Sequence, residues 1–271
     1  MKTEASQISD LKYQIIQGDC LRVLPTLPPA VMVFADPPDN IGCKYEGFDD
    51  RWPDAGEYCL WLYERIHAVM WPLSRPGTIW LSINNKWLFD IAAMIHGSPS
   101  YQTRLFLWRY AFGQHNSRDC GSGYRPILRF MRQGARLYPD AIRVPSARQT
   151  TYHDKRANAA GRVPDDVWEF PRVCGTFKER KPWHPCQHPK DLLRRMVLFS
   201  TKPGDLVIDL FAGSGNMLEV CKELGRSCIG IETSEYYCQK IAEITGAELI
   251  HHEGHEGTRR NNSVSSVAKK P

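Results

Sequence analysis

The stretch Leu206-Val-Ile-Asp-Leu-Phe-Ala-Gly-Ser-Gly-Asn216 constrains this chain more than any other. A short strand-like run leads into a Gly-x-Gly turn, and a segment of helical pattern, Asn216 to Leu224, follows it and ends at Gly225. Glycines in such a turn admit positive φ and let a ligand approach the backbone, while the free N–H groups of the helix start attract a carboxylate or phosphate. The next strand-like run, Ser227 to Ile231, closes on Glu232, an acid placed to accept hydrogen bonds from both hydroxyls of a ribose. Leu218 stands where a third glycine would complete the dinucleotide pattern, so a nucleoside without pyrophosphate fits better than a dinucleotide. A strand–turn–helix–strand unit of this kind points to an α/β architecture with a mostly parallel sheet.

The rest of the chain extends that pattern. Val31 to Ala35 is an apolar run stopped by Asp36-Pro37-Pro38, and reads as a buried strand. Glu57 to Met70 carries apolar residues at helical spacing, Thr78 to Ile83 is strand-like again, and Ser234 caps a helix that runs to about Gly246. Leu137 to Pro182, rich in Arg and Pro, breaks the alternation and reads as an insertion. From His251 onward the chain is polar and without period, as expected of a tail. No apolar run approaches the ~18 residues of a membrane span, and no apolar signal segment opens the chain. Nine cysteines without paired spacing suit reduced thiols, so a cytoplasmic protein is expected.

Charge is unevenly distributed. Residues 104–195 hold 19 Lys and Arg against 8 Asp and Glu, most of the cations being arginine, whereas residues 1–103 hold 8 against 12 and residues 196–271 hold 8 against 10. A basic centre between acidic flanks suits a polyanion. The second chemical signal is Asp36-Pro37-Pro38-Asp39-Asn40. Prolines stiffen this loop and strip it of N–H donors, so it can present a carboxylate and a free carbonyl in fixed geometry. An NH₂ group has two hydrogens that need two acceptors. Holding both would draw the nitrogen of a nucleobase amine toward tetrahedral geometry and return its lone pair for attack.

Taken together, Ala35-Asp-Pro-Pro-Asp-Asn40, the basic middle, His184-Pro-Cys-Gln-His-Pro189 and Phe211-Ala-Gly-Ser-Gly215 resemble, in that order, the β class of S-adenosylmethionine-dependent amino-DNA methyltransferases. Ile16-Gln-Gly-Asp19-Cys20 and Gly161-Arg-Val-Pro-Asp-Asp-Val-Trp-Glu-Phe-Pro171 are also similar to family segments, so the likeness spans residues 15–240. It implies a Rossmann-like methyltransferase fold with a mostly parallel seven-stranded sheet and an inserted target-recognition region. The implied division is 1–133 and 183–250 for the two halves of the core, 134–182 for the recognition insertion and 251–271 for the tail. Asp36, Pro37, Pro38 and Asp39 would form the catalytic motif. Asp19, Cys20, Asp36, His184, Gln187, His188, Asp209, Phe211, Gly213, Gly215, Asn216 and Glu232 would surround S-adenosylmethionine, with no metal. Arg143, Arg148 and Arg156 would meet double-stranded DNA.

Two departures stand out: the family usually has a lysine at the position of His188, and an aromatic residue that stacks on the flipped base at the position of Asp39. Tyr45 and Phe48 are the nearest aromatic replacements. Asp36, where serine is the alternative, leans toward N6-adenine. An N4-cytosine enzyme and a DNA-binding homologue with impaired catalysis remain open, as does self-association into a homodimer.

Overall fold

The computed structural model describes residues 13–70, 77–95, 100–112 and 116–252. Along them run β1 (Tyr13–Gln17), α1 (Cys20–Val23), β2 (Met32–Ala35), β3 (Lys44–Tyr45), β4 (Phe48–Asp49), α2 (Ala55–Met70), β5 (Thr78–Ser82), α3 (Leu88–Ile95), β6 (Tyr101–Arg109), β7 (Tyr124–Arg132), α4 (Ala147–Thr150), β8 (Val167–Glu169), α5 (Lys190–Ser200), β9 (Leu206–Asp209), α6 (Asn216–Glu223), β10 (Ser227–Glu232), α7 (Glu235–Thr245) and β11 (Glu248–His251).

One sheet dominates, in the order β11-β1-β10-β9-β2-β5-β7-β6-β8. Its pairings are parallel except for those that β7 makes with β5 and β6, so β7 alone runs against the other eight strands. The sheet therefore has nine strands rather than seven. The two extra strands are its edges, β8 and β11, of three and four residues, too short to show a period in the sequence. β8 comes from the segment expected as an insertion, and it buries Trp168 almost completely. β11 takes His251 from the expected tail, whose residues 253–271 lie outside the described residues.

The alternation of side chains in β2 splits the core into two layers. Val33 and Ala35 face Leu62 and Ile66 of α2 and Ile91 of α3, while Met32 and Phe34 face Leu192, Met196 and Val197 of α5. On the second side Trp80 packs on Phe106 and Trp168, with ring centroids at 5.0 and 5.6 Å, and donates its indole N–H to Ser200 Oγ at 2.8 Å. Burying a large apolar side chain contributes about 1.5–3 kcal/mol, so the edge strand carrying Trp168 is held by its side chain as much as by its ladder.

β9 and β2 are neighbours, yet the chain continues from β9 toward β10 and from β2 toward β5, on opposite sides. A crevice opens at such a switch point, beyond the carboxyl ends of the strands. Asp36, Asp209 and Glu232 all stand at those ends.

Candidate active site

A cleft of 1390 Å³ occupies the crevice. Single small-molecule pockets run to roughly 1,000 Å³, so this one has room for a nucleoside cofactor and a second group beside it.

Its cofactor end is made by backbone. Gly213 and Gly215 both take positive φ, 47° and 74°, and Gly215 caps α6 from the left-handed region. A Cβ on Gly213 would come 3.0 Å from His184 Nε2, and one on Gly215 would come 2.9 Å from Ile241 Cγ1, so the turn can pass only as glycine. Glu232 accepts from the N–H groups of Gly213 at 3.0 Å and Ser234 at 2.9 Å, which locks the turn to the end of β10. Burial pushes its carboxyl above the usual range, against the pull of those N–H groups. Asp209, also walled in, is pushed by burial up to about 8 although Phe211 N–H donates to it. Asp19 caps α1 through Leu21 N–H at 2.8 Å and is held by Arg65 at 2.6 Å, with Cys20 buried beside it on the cleft wall. Phe211 lines the same end against Trp61, ring to ring at 5.8 Å.

The loop from Lys181 to Pro189 closes the far wall. His184 Nδ1 bonds the Cys186 carbonyl, and burial brings the imidazole down to about 4, so the ring is neutral where it faces the cleft. Asn216 lines the cleft, and its amide joins the loop to α6 by donating to the His188 carbonyl at 2.8 Å and accepting from Lys181 Nζ at 2.7 Å. Gln187 turns into its own loop, donating to the Glu179 carbonyl at 2.7 Å and accepting from Lys181 N–H at 3.0 Å, and is not among the residues lining the cleft.

The catalytic end is made by side chains. Asp36 lines the cleft with both oxygens engaged, Oδ1 by Arg125 Nη2 and Oδ2 by His188 Nδ1, each at 2.9 Å. Burial pushes this carboxyl up, but the charges and hydrogen bonds of His188 and Arg125 outweigh it and hold it down at about 2. Around it the loop is fixed by residues that its own sequence does not announce. Asp50, fully buried, accepts from the N–H groups of Asn40, Ile41 and Cys43. Tyr58 Oη donates to the Pro38 carbonyl at 2.9 Å and Trp87 Nε1 to the Asp39 carbonyl at 2.6 Å. Among the described residues no hydrogen bond reaches the Pro37 carbonyl.

Asp39 points away from the cleft into a bidentate pair with Arg125, at 2.7 and 2.9 Å. Tyr45 and Phe48 face each other across the β3–β4 hairpin, which is tied down by Tyr237 Oη accepting from Glu46 N–H at 2.9 Å. Tyr45 lines the cleft 5.7 Å from the His184 ring; Phe48 also reaches it but leans on Trp52, 5.7 Å away.

The arginines of the basic segment differ among themselves. Arg143 is tied to Asp140 and to the Gly161 carbonyl, inside its loop. Arg148 and Arg156 share Asp154, whose carboxyl they hold below the usual range, and both remain exposed.

A mostly parallel α/β sheet with this crevice places the protein in the Rossmann-like class of folds. The chain matches the DNA methylase family over residues 30–243. It is 34% identical over 247 residues to the DNA adenine methyltransferase YhdJ of Escherichia coli K12, covering 86% of this chain and 83% of that one. It is 32% identical over 221 residues to the type II methyltransferase M.HpaI of Haemophilus parainfluenzae, covering 80% of this chain and 68% of that one. Its fold is shared with the cytosine-N4-specific PvuII DNA methyltransferase, with a TM-score of 0.64 at 16% identity over 89% of this chain and 96% of the other. M1.HpyAVI in complex with its cofactor gives a TM-score of 0.58 at 18% identity over 85% and 98%. The chain belongs to the N6/N4 amino-DNA methyltransferases, a family dependent on S-adenosylmethionine.

Proposed function

We propose that this protein methylates the exocyclic N6 amine of adenine in duplex DNA, after the base has left the helix stack. The observation that carries the reading is the Asp36 carboxylate, held by Arg125 and His188 at the end of β2 and lining a cleft with room for a cofactor and a second group. The second acceptor of the reading is the adjacent carbonyl of Pro37, a buried residue not among those lining the cleft, which takes no hydrogen bond among the described residues. Those two acceptors match the two hydrogens of an amine. The adenine assignment is supported by the adenine-named relative and by aspartate at position 36.

The residues of the cleft fit S-adenosylmethionine. Glu232 keeps lone pairs for ribose hydroxyls, Phe211 offers an apolar wall, and the neutral His184 beside Gly213 adds no positive charge against a sulfonium. When bound, the cofactor supplies an electrophilic methyl group. Asp36 and Pro37 then hold the amine so that its lone pair points along the line of transfer, and proximity does most of the work. With its carboxyl held at about 2, Asp36 acts as an acceptor rather than a base at neutral pH, and the proton lost by the methylated amine leaves to water. Tyr45 gives the flipped base a π face, in place of the aromatic residue absent at position 39.

Residues 134–182 serve as the recognition region between the two core halves, with Arg148 and Arg156 on phosphates; the protein works on DNA in the cytoplasm. Transfer of a labelled methyl group from S-adenosylmethionine to unmethylated genomic DNA tests the activity. Digestion of the product to nucleosides decides between N6-methyladenine and N4-methylcytosine. Label appearing only in cytosine would overturn the adenine assignment, and no label at all would favour the binding homologue.

A further inference from the structure

Arg125 sits at the start of β7, and its side chain is only 16 % exposed. Its Nε–H donates to Ser82 Oγ at 2.7 Å, Nη1 donates to Asp39 Oδ2 at 2.7 Å, and Nη2 is shared between Asp39 Oδ1 and Asp36 Oδ1, both at 2.9 Å. Ser82 Oγ in turn meets His188 Nε2 at 2.8 Å, and His188 Nδ1 returns to Asp36 Oδ2. Asp36, Arg125, Ser82 and His188 thus close a ring drawn from the end of β2, the start of β7, the end of β5 and the loop before α5. A bidentate carboxylate fixes both the plane and the rotation of a guanidinium. Asp39 supplies that grip with a carboxylate that, among the described residues, bonds only Arg125 and does not line the cleft.

We propose that Arg125 is a positioning residue for the amine acceptor: clamped by Asp39 and Ser82, it fixes the rotamer of Asp36 so that the carboxylate's remaining lone pairs face the cleft. The proposal rests on the reading of Asp36 given above. Two carboxylates surround one guanidinium, and Asp36 has His188 as its second partner. Without Arg125 the two acids would repel each other, and Asp36 would keep only the His188 contact to fix its rotamer. A carboxylate turned out of that rotamer would no longer present its lone pairs to the cleft. The other groups facing Asp36 are His188, His184 and Cys186 of the far loop, Tyr45 of the hairpin and Asp209 of β9. Of these, His188 is the one besides Arg125 in hydrogen-bond contact with it.

The test compares Arg125→Gln, Arg125→Lys and Asp39→Asn with wild type in the full chain, reading methyl transfer to unmethylated genomic DNA, S-adenosylmethionine affinity by calorimetry, and Asp36 titration by carbon-13 NMR of labelled aspartates. Arg125→Gln should lower kcat about a hundredfold, the scale of a misplaced catalytic group, with cofactor affinity kept within about threefold. It should also raise the Asp36 titration by about 1–3 pH units, the effect of losing an adjacent opposite charge. Arg125→Lys should restore most of the titration and only part of kcat, since it keeps the charge and loses the fork. Asp39→Asn should lower kcat without raising the titration. Wild-type kcat in Arg125→Gln, or a common loss of fold and cofactor binding in all three variants, would overturn the proposal. If wild type itself transfers no methyl group, the functional reading fails, and the Asp36 titration still decides whether Arg125 governs this carboxylate.

Discussion

The two ends of the cleft are built by opposite means. At the cofactor end, between β9 and β10, the working parts are main chain: a turn in positive φ, the start of α6, and an acid locked to the turn by backbone N–H groups. At the other end a single carboxylate is contacted by Arg125 and His188, 89 and 152 positions further along the chain. A main-chain site tolerates little substitution at its glycines and wide variation elsewhere. A side-chain site survives reshaping of its loop as long as the distant partners hold. On the function proposed above, the first end binds and the second makes an amine reactive.

Substitutions can break or sharpen this division. The largest effect is expected for Asp36→Asn, which should cut turnover by about 10²–10³-fold, the cost of removing one group that stabilises developing charge, while leaving S-adenosylmethionine affinity nearly intact. If affinity falls in step with kcat, the two ends are not separable. Next, Glu232→Ala should weaken S-adenosylmethionine by about 1.5–3 kcal/mol, the range for hydrogen bonds to a charged group, as read by calorimetry; an unchanged affinity would place the ribose elsewhere. Gly215→Ala forces a Cβ into the left-handed region and against Ile241, which should cost about 1–2 kcal/mol of stability and lower the thermal transition without touching Asp36.

Smaller effects lie at the margins of the comparison. Arg148→Glu with Arg156→Glu should reduce the slope of log DNA affinity against log salt by about 2, one for each phosphate no longer neutralised, while cofactor binding stays as it was. A slope that does not change would confine these two arginines to their loop with Asp154. A pH dependence is expected at the cofactor end. Asp209 has a folded-state pKa raised to about 8 by burial, so its contribution to stability is full below the unfolded value near 3.9 and is lost as pH rises through 8. Asp209→Asn should flatten that fall, measured as the difference in melting temperature between pH 5 and pH 8.5.

Much of this is legible in the chain. The strand before Asp36, the helix from about 57 to 70, the glycine turn and the acid at the end of β10 all announce themselves, because each depends on residues within one or two turns of one another. Asp50 gives no signal, being one acid in a polar stretch until the loop folds over it. Arg125 stands before the Pro-Ile-Leu run of β7, a strand that also carries Arg129 and Arg132, so its charge does not single it out until the fold brings it to Asp36 and Asp39. Asp39 reads as a defect, a carboxylate where a ring should stack, and becomes intelligible only beside Arg125.

Local sequence determined the α/β alternation, the glycine turn and the placing of a carboxylate at the end of β2, since backbone preference and hydrophobic period act over a few residues. Only the tertiary structure decided the nine-stranded sheet, the reversal of β7 and the partners of Asp36. Those depend on which strands lie side by side: β7 sits next to β5 running the other way, and that brings its first residues, Arg125 among them, to the end of the sheet where the parallel strands present their acids.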